Sequence, residues 1–263
     1  MYYLNLIRCF IRASVQDEMA HRSNFWISLL HSILNLVTGI MGVAVLFGQV
    51  DSINGWDFTS TLVILGVYLT VGALRGLFIG PSLDALSGMD GEVWTGKLDF
   101  TLLRPVDVQF QASFRHWRPF RLLDLVLGFG VLVTASLRLG RSVTFSELLA
   151  FLISLLIGML ILYSILLIFA GLVFWSPGFL FTWVFDGIFQ MARYPVGVYP
   201  QWVRLILTWI IPVGLITTVP AQALSGSLPM WLFGAAFLFA IMLLIGGTAI
   251  FRSGLQRYAS ASS

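Results

Sequence analysis

The chain has 263 residues, 58% of them hydrophobic, with a mean hydropathy of +0.92 and only 10% charged. A water-soluble surface needs roughly a quarter to a third of its residues charged, so the composition excludes a soluble globular enzyme, a disordered chain and a nucleic-acid-binding module. A formal net charge of +3 is too small an excess for polyanion binding and reads instead as membrane topology.

No secretory signal peptide is expected at the start, because Arg8, Arg12, Asp17 and Glu18 interrupt any apolar run there. From Tyr3 to Ala20, Leu4, Ile7, Ile11, Val15 and Met19 recur at helical spacing, with Asn5, Arg8, Arg12 and Gln16 on another face. Residues 1–23 are therefore expected to form an amphipathic helix lying in the membrane interface. Cys9 is a lone cysteine, so no intramolecular disulfide is possible, and His21, His31 and His116 are too scattered for a metal site.

A bilayer core needs about 20 apolar residues per helix. Apolar runs of that kind fall at 24–50, 58–80, 122–139, 148–175, 178–192 and 229–251. One more, 203–219, is broken by Pro212 and followed by Pro220. Charge decides how to count it. With six spans, one side collects Arg8, Arg12, Arg22, Arg75, Lys97, Arg104, Arg115, Arg118, Arg121, Arg252 and Arg257. The other holds Arg138, Arg141, Arg193 and Arg204. A seventh span would put Arg252 and Arg257 on the poor side. The expectation is an all-α integral membrane protein of six spans with both termini on the cytoplasmic side. Residues 195–225 then form an outer re-entrant region, irregular backbone that must be buried in protein or line a cavity.

Within the first span, His31 and Asn35 are four apart and share a face; an interhelical hydrogen bond is favoured over a spot on a translocation surface. Gly72, Gly76 and Gly80 repeat at the spacing that lets helices approach closely in lipid, so helix packing is expected there, with Arg75 snorkelling or finding a carboxylate. Residues 81–121 are the one long polar stretch, too long for an ordinary connection and too rich in Leu83, Leu86, Val93, Trp94, Phe100 and Leu103 for a disordered one. It should fold and meet a cytosolic partner. Gly91 to Lys97 imitates the start of a phosphate-binding loop, but Leu98 stands where Ser or Thr must hold magnesium and Glu92 would repel phosphate. This chain is not expected to hydrolyse nucleotide. In the fifth span, Asp186, Gln190 and Arg193 fall on one face; an Asp186–Arg193 network at the outer end and a gate or substrate contact are equally open. No nucleophile, acid–base pair or metal cluster emerges. A membrane-embedded enzyme or assembly factor acting on lipid, and a secondary transporter, are the weaker alternatives.

Three motifs in this order, Gly96-Lys97-Leu98-Asp99-Phe100-Thr101-Leu102-Leu103-Arg104-Pro105-Val106, Arg193-Tyr194-Pro195 with Tyr199-Pro200, and Ile211-Pro212-Val213 leading to Thr218-Val219-Pro220-Ala221, resemble an ABC-2-type permease, the membrane subunit of an ATP-binding-cassette exporter. The resemblance covers essentially the whole chain as a single permease domain, 1–263. It implies a coupling helix within 82–95 seated in a separate ATPase subunit, with Asp84, Asp90, Glu92, Trp94, Lys97, Asp99 and Arg104 as coupling residues. It implies a gate region with Arg193, Tyr194, Pro195, Pro212 and Pro220, which joins the intramembrane polar residues His31, Asn35 and Asp186 already marked by their place in the spans. It further implies a second permease subunit, membrane lipid as a neighbour, a prokaryotic plasma membrane, ATP and magnesium on the partner only, no nucleic acid, and export by alternating access. The family's architecture also serves saccharides and peptides, and it is the apolar and aromatic residues available to line a path that suggest a lipid-like or amphipathic substrate.

Overall fold

The computed structural model describes residues 2–258, with every side chain among them except that of Arg22. The protein is a bundle of long apolar helices with two distinct ends. The base carries residues 81–121, and the opposite end carries a small hairpin.

Helix α1 (Tyr2–Ala20) lies at the base, where Ser14 Oγ accepts the Trp117 N–H (3.1 Å) and Glu18 Oε2 accepts the Phe120 N–H (2.8 Å). Helix α2 (Arg22–Leu46) rises to the other end. Among its described residues only Ser32, Gly39 and Val43 are buried, one narrow stripe. The hairpin follows, β1 (Ser52–Ile53) paired antiparallel with β2 (Trp56–Asp57). Its turn is Asn54-Gly55, both at positive φ (49° and 83°), the pair that a two-residue hairpin turn favours. Asp57 then caps α3 (Phe58–Leu74) in a capping box with Ser60.

Helix α3 continues through a π-helical turn, Arg75–Ile79, into α4 (Gly80–Asp84), forming one 27-residue apolar rod. Pro81 explains the irregularity, since it has no N–H to offer the preceding turn. The carbonyl it leaves at Leu77 accepts the Arg118 N–H instead (2.9 Å). Short helices α5 (Leu98–Leu102) and α6 (Val108–Phe114) complete the base. Helix α7 (Leu122–Leu137) returns antiparallel to α3. A Cβ on Gly66 would meet Leu132 Cα at 2.7 Å, and one on Gly128 would meet the Thr70 nitrogen at 2.8 Å; small residues set that contact. Helix α8 (Phe145–Leu172), capped by a Thr144/Glu147 box, descends, and α12 (Met230–Arg257) runs parallel to it, with Gly247 against Ser164 and Gly171 against Phe251.

Between α8 and α12 the structure departs from the expected span at 178–192. The helical part is α9 (Phe181–Phe189) with a 3-10 turn, Gln190–Arg193. At standard rises this is about 21 Å, short of the ~30 Å hydrocarbon core. Pro195 ends it by forcing Tyr194 into extended backbone (φ −112°, ψ 152°). Residues 178–198 nonetheless travel from one end to the other: Gly178 lies by Trp94 at the base, and Gly197 O accepts from Asn54 Nδ2 (2.7 Å) at the hairpin. Helix α10 (Gln201–Leu205), extended by a π-helical turn to Ile210, and α11 (Val213–Leu224) meet at 94° at Pro212. Both outer ends of this bent pair lie at the hairpin end, where Arg204 Nη2 donates to Gly197 O (2.8 Å) and Arg141 Nη2 donates to Leu224 O (3.0 Å).

Two further expectations are corrected. No helix covers 82–95: it stops at Asp84, and 85–97 are turns set by Gly88 and Gly96 at positive φ (85° and 73°). Gly72, Gly76 and Gly80 do not seat another helix. A Cβ on Gly72 would meet nothing within 4 Å, and the other two would meet Arg121 and the Arg75–Asp84 turn.

Candidate functional site

The space those glycines leave is a cleft between α2, α3, α7 and α9. It encloses about 410 Å³. Toward the base it opens into a second space of about 710 Å³ under α1, with His31, Pro81, Asp84, Arg118 and Arg121 lining both. A continuous polar path thus runs from the base into the bundle.

Its walls carry four arginines and three aspartates. Arg75, projected by the π-helical turn, pairs with Asp186 on α9. Arg121 pairs with Asp124 one turn on (2.8 Å). Asp84 sits nearer the base beside Arg75 and Arg118, its Oδ1 buried without a hydrogen-bond partner. Arg193 donates from Nη2 to Asn35 Oδ1 (2.7 Å) and lies 5.3 Å from the centre of the Tyr68 ring. Tyr68 is ten residues into α3, so Arg193 sits about 15 Å along the axis from the hairpin end. That is close to mid-depth in a ~30 Å core. Arg75 is about 10 Å nearer the base.

Among the expected site residues, His31, Asn35, Asp186, Arg193 and Asp84 come together here. Asp84 was assigned to the coupling segment, yet it faces the cleft. The Asp186–Arg193 network does not form: the aspartate turns to Arg75 across 111 residues of sequence, at the base side rather than the outer end. Asn35 makes the expected interhelical hydrogen bond. Arg118, Arg121, Asp124 and Tyr68 complete the site and were not singled out; the Arg121/Asp124 spacing was the one local signal for them.

The other coupling candidates stay at the base. Asp90, Trp94, Lys97 and Arg104 are exposed. Glu92 is an internal brace: Arg115 Nη1 donates to its Oε1 (2.9 Å), and the same nitrogen donates to Thr101 Oγ1 (3.1 Å). Burial pushes the Glu92 carboxyl up, but His116, Arg115 and Arg104 together hold it below its ordinary 4.5. Ser82 Oγ accepts the His116 N–H (2.8 Å) and ties this segment to α4. Asp99 faces Tyr258 after α12; burial and that carboxylate push the phenol up to about 12. At the other end, the Tyr194 hydroxyl lies against Gly42 of α2, Pro195, Pro212 and Pro220 are buried, and Thr217 Oγ1 donates to Ala192 O (3.1 Å).

A family model described as ABC-2 family transporter protein matches residues 33–262. The chain belongs to the ABC-2 transporter family. No curated protein matches it. The family match takes in every helix that walls the cleft, although His31 and Ser32 precede it. Among the described residues this ABC-2 family member has five helices long and apolar enough to cross a membrane, or six if the bent pair counts as one.

Proposed function

We propose that this chain is the transmembrane permease subunit of an ABC exporter. It moves a lipid-like or amphipathic substrate by alternating access, driven by ATP hydrolysis on a separate ATPase subunit. One observation carries the reading: a charged cleft penetrates a lipid-solvated bundle from the base to mid-depth. Charge at that depth is costly unless it serves a path or a partner.

In this reading the base is cytoplasmic, with both termini, and the membrane is a prokaryotic plasma membrane. Helix α1 lies in the inner interface, and α10–α11 form a re-entrant cap over the outer end of the path. The ATPase docks on residues 81–121. Met89, Trp94, Phe100 and Leu103 are exposed there at 55% or more, an apolar set on an otherwise polar surface that needs cover. Closure of the ATPase pushes on turns braced by Glu92–Arg115 and tied to the α3 rod through Ser82–His116 and Arg118–Leu77. Arg75–Asp186 passes the motion to α9, and Thr217–Ala192 passes it to the cap. A second permease, this chain or a relative, completes the path.

The test is reconstitution with the co-purified ATPase subunit. Trp94→Ala is expected to lower transport per ATP hydrolysed severalfold without loss of membrane insertion, because it removes an exposed anchor and leaves the brace intact. Normal coupling in that variant overturns the docking assignment. Transport by the single chain without ATP overturns the exporter reading.

A further inference from the structure

Among the described residues, the Arg75–Asp186 pair leaves Arg193 at mid-depth with no carboxylate. Among the described residues its contacts are Asn35 and the Tyr68 ring, and its Nε is buried with no hydrogen-bond partner. A guanidinium cannot give up its proton, so the charge persists and needs a counter-charge or a cavity to face. Arg193 lines the 410 Å³ space. The other carboxylates cannot reach it. Asp186 and Asp124 are engaged, and Asp84 is sixteen residues of helix beyond Tyr68, about 24 Å along the axis.

We infer that Arg193, with Asn35 and Tyr68, is the recognition point for an anionic group, phosphate or carboxylate, carried by the substrate. This rests on the reading of the cleft as the substrate path. Arg118 at the mouth offers the same chemistry on the way in. The walls at the level of Arg193 are apolar, with Leu36, Leu69 and Phe189, and they suit the start of a hydrocarbon tail. A free inorganic anion can make the same contacts with Arg193, but it gains nothing from these apolar walls, whereas a hydrocarbon tail adds apolar burial to the binding of its headgroup.

The experiment uses the full chain in detergent and measures occupancy by native mass spectrometry. The probes are short-chain phosphatidylglycerol, phosphatidylcholine of the same chain length, and inorganic phosphate. The wild type is expected to prefer the anionic lipid by about tenfold, the size of one charge-assisted hydrogen bond. Arg193→Gln is expected to erase that preference, and Arg193→Lys to keep most of it. Failure of millimolar phosphate to displace the lipid supports a tail-bearing headgroup; displacement supports the anion site and assigns it to a free anion. Equal occupancy by both lipids in the wild type overturns the inference, and that comparison stands even if Arg193→Gln does not fold. Unchanged preference in a folded Arg193→Gln overturns it too. The assay contains no ATPase and no transport, so its failure leaves the permease reading intact, and a failed reconstitution leaves the anion site intact.

Discussion

Arg75 and Asp186 meet across the cleft from different helices, one side chain 14% exposed and the other 43%. Removing one partner strands the other. A fully buried pair broken this way costs roughly 3–5 kcal/mol and an exposed one roughly 0–1. With Asp186 nearly half exposed, Asp186→Asn is expected to cost about 2 kcal/mol, and Arg75→Met/Asp186→Leu to recover most of it. Thermal melts of the four proteins in one detergent measure this cycle; additive losses would show that the two do not act as a pair. Glu92 gives a pH dependence. Its folded-state value lies below 4.5, so its contribution is fully present above about 4.5 and is lost as pH falls through the lower folded value. Hydrogen exchange of the 85–115 amides, corrected for intrinsic rate, is expected to show protection lost in acid in the wild type but not in Glu92→Gln. No difference between the two would remove Glu92 from the brace. At this scale the sequence was partly legible. Asp186 and Arg193 were visible as costly charges, but which cation an aspartate meets 111 residues away depends on how α9 is placed against α3, and no local spacing carries that.

Glycine shows how one local pattern takes two structural roles. Gly66 and Gly128 are where α3 and α7 touch, with backbone of the other helix within 3 Å of an added Cβ. Gly72 points into open space in the cleft. Gly128→Leu is expected to overpack the helix pair and cost about 1–3 kcal/mol. Gly72→Leu is expected to keep or slightly raise stability, since a helical glycine costs about 0.5–1 kcal/mol against alanine, while blocking transport. A melt and a transport assay on both variants check this; a transport-competent Gly72→Leu would move the path elsewhere. The four-residue repeat of Gly72, Gly76 and Gly80 announced a face without side chains. Whether a helix or a cavity fills that face depends on what packs opposite, which the repeat does not encode. The hairpin was missed for a different reason. Asn54-Gly55 is a strong turn signal, but its two-residue strands are too short to show alternation.

Across the whole molecule, hydropathy located the five long helices, with ends off by up to six residues (251 expected against Arg257), because span length is set by bilayer thickness and a long apolar run has few other uses. The shorter crossing was placed within three residues of its helical part, Phe181–Arg193, but apolar content did not reveal that this helix is too short to span a bilayer by itself. The region 81–121 was recognisable as a folded segment from its mixture of charged and apolar residues, but the helix expected over 82–95 is absent, because Gly88 and Gly96 turn the chain there. The central claim is that the cleft opens alternately to the two ends. Cys9→Ser removes the chain's one cysteine, and Gln190→Cys then puts a single thiol in the cleft. Labelling of the reconstituted complex with a membrane-impermeant maleimide tests the claim directly. The thiol is expected to label from the base side without nucleotide, to lose that access when ATP is hydrolysed and the ADP is trapped with vanadate, and to gain access from the hairpin side. Labelling from one side only, unchanged by nucleotide, would contradict it.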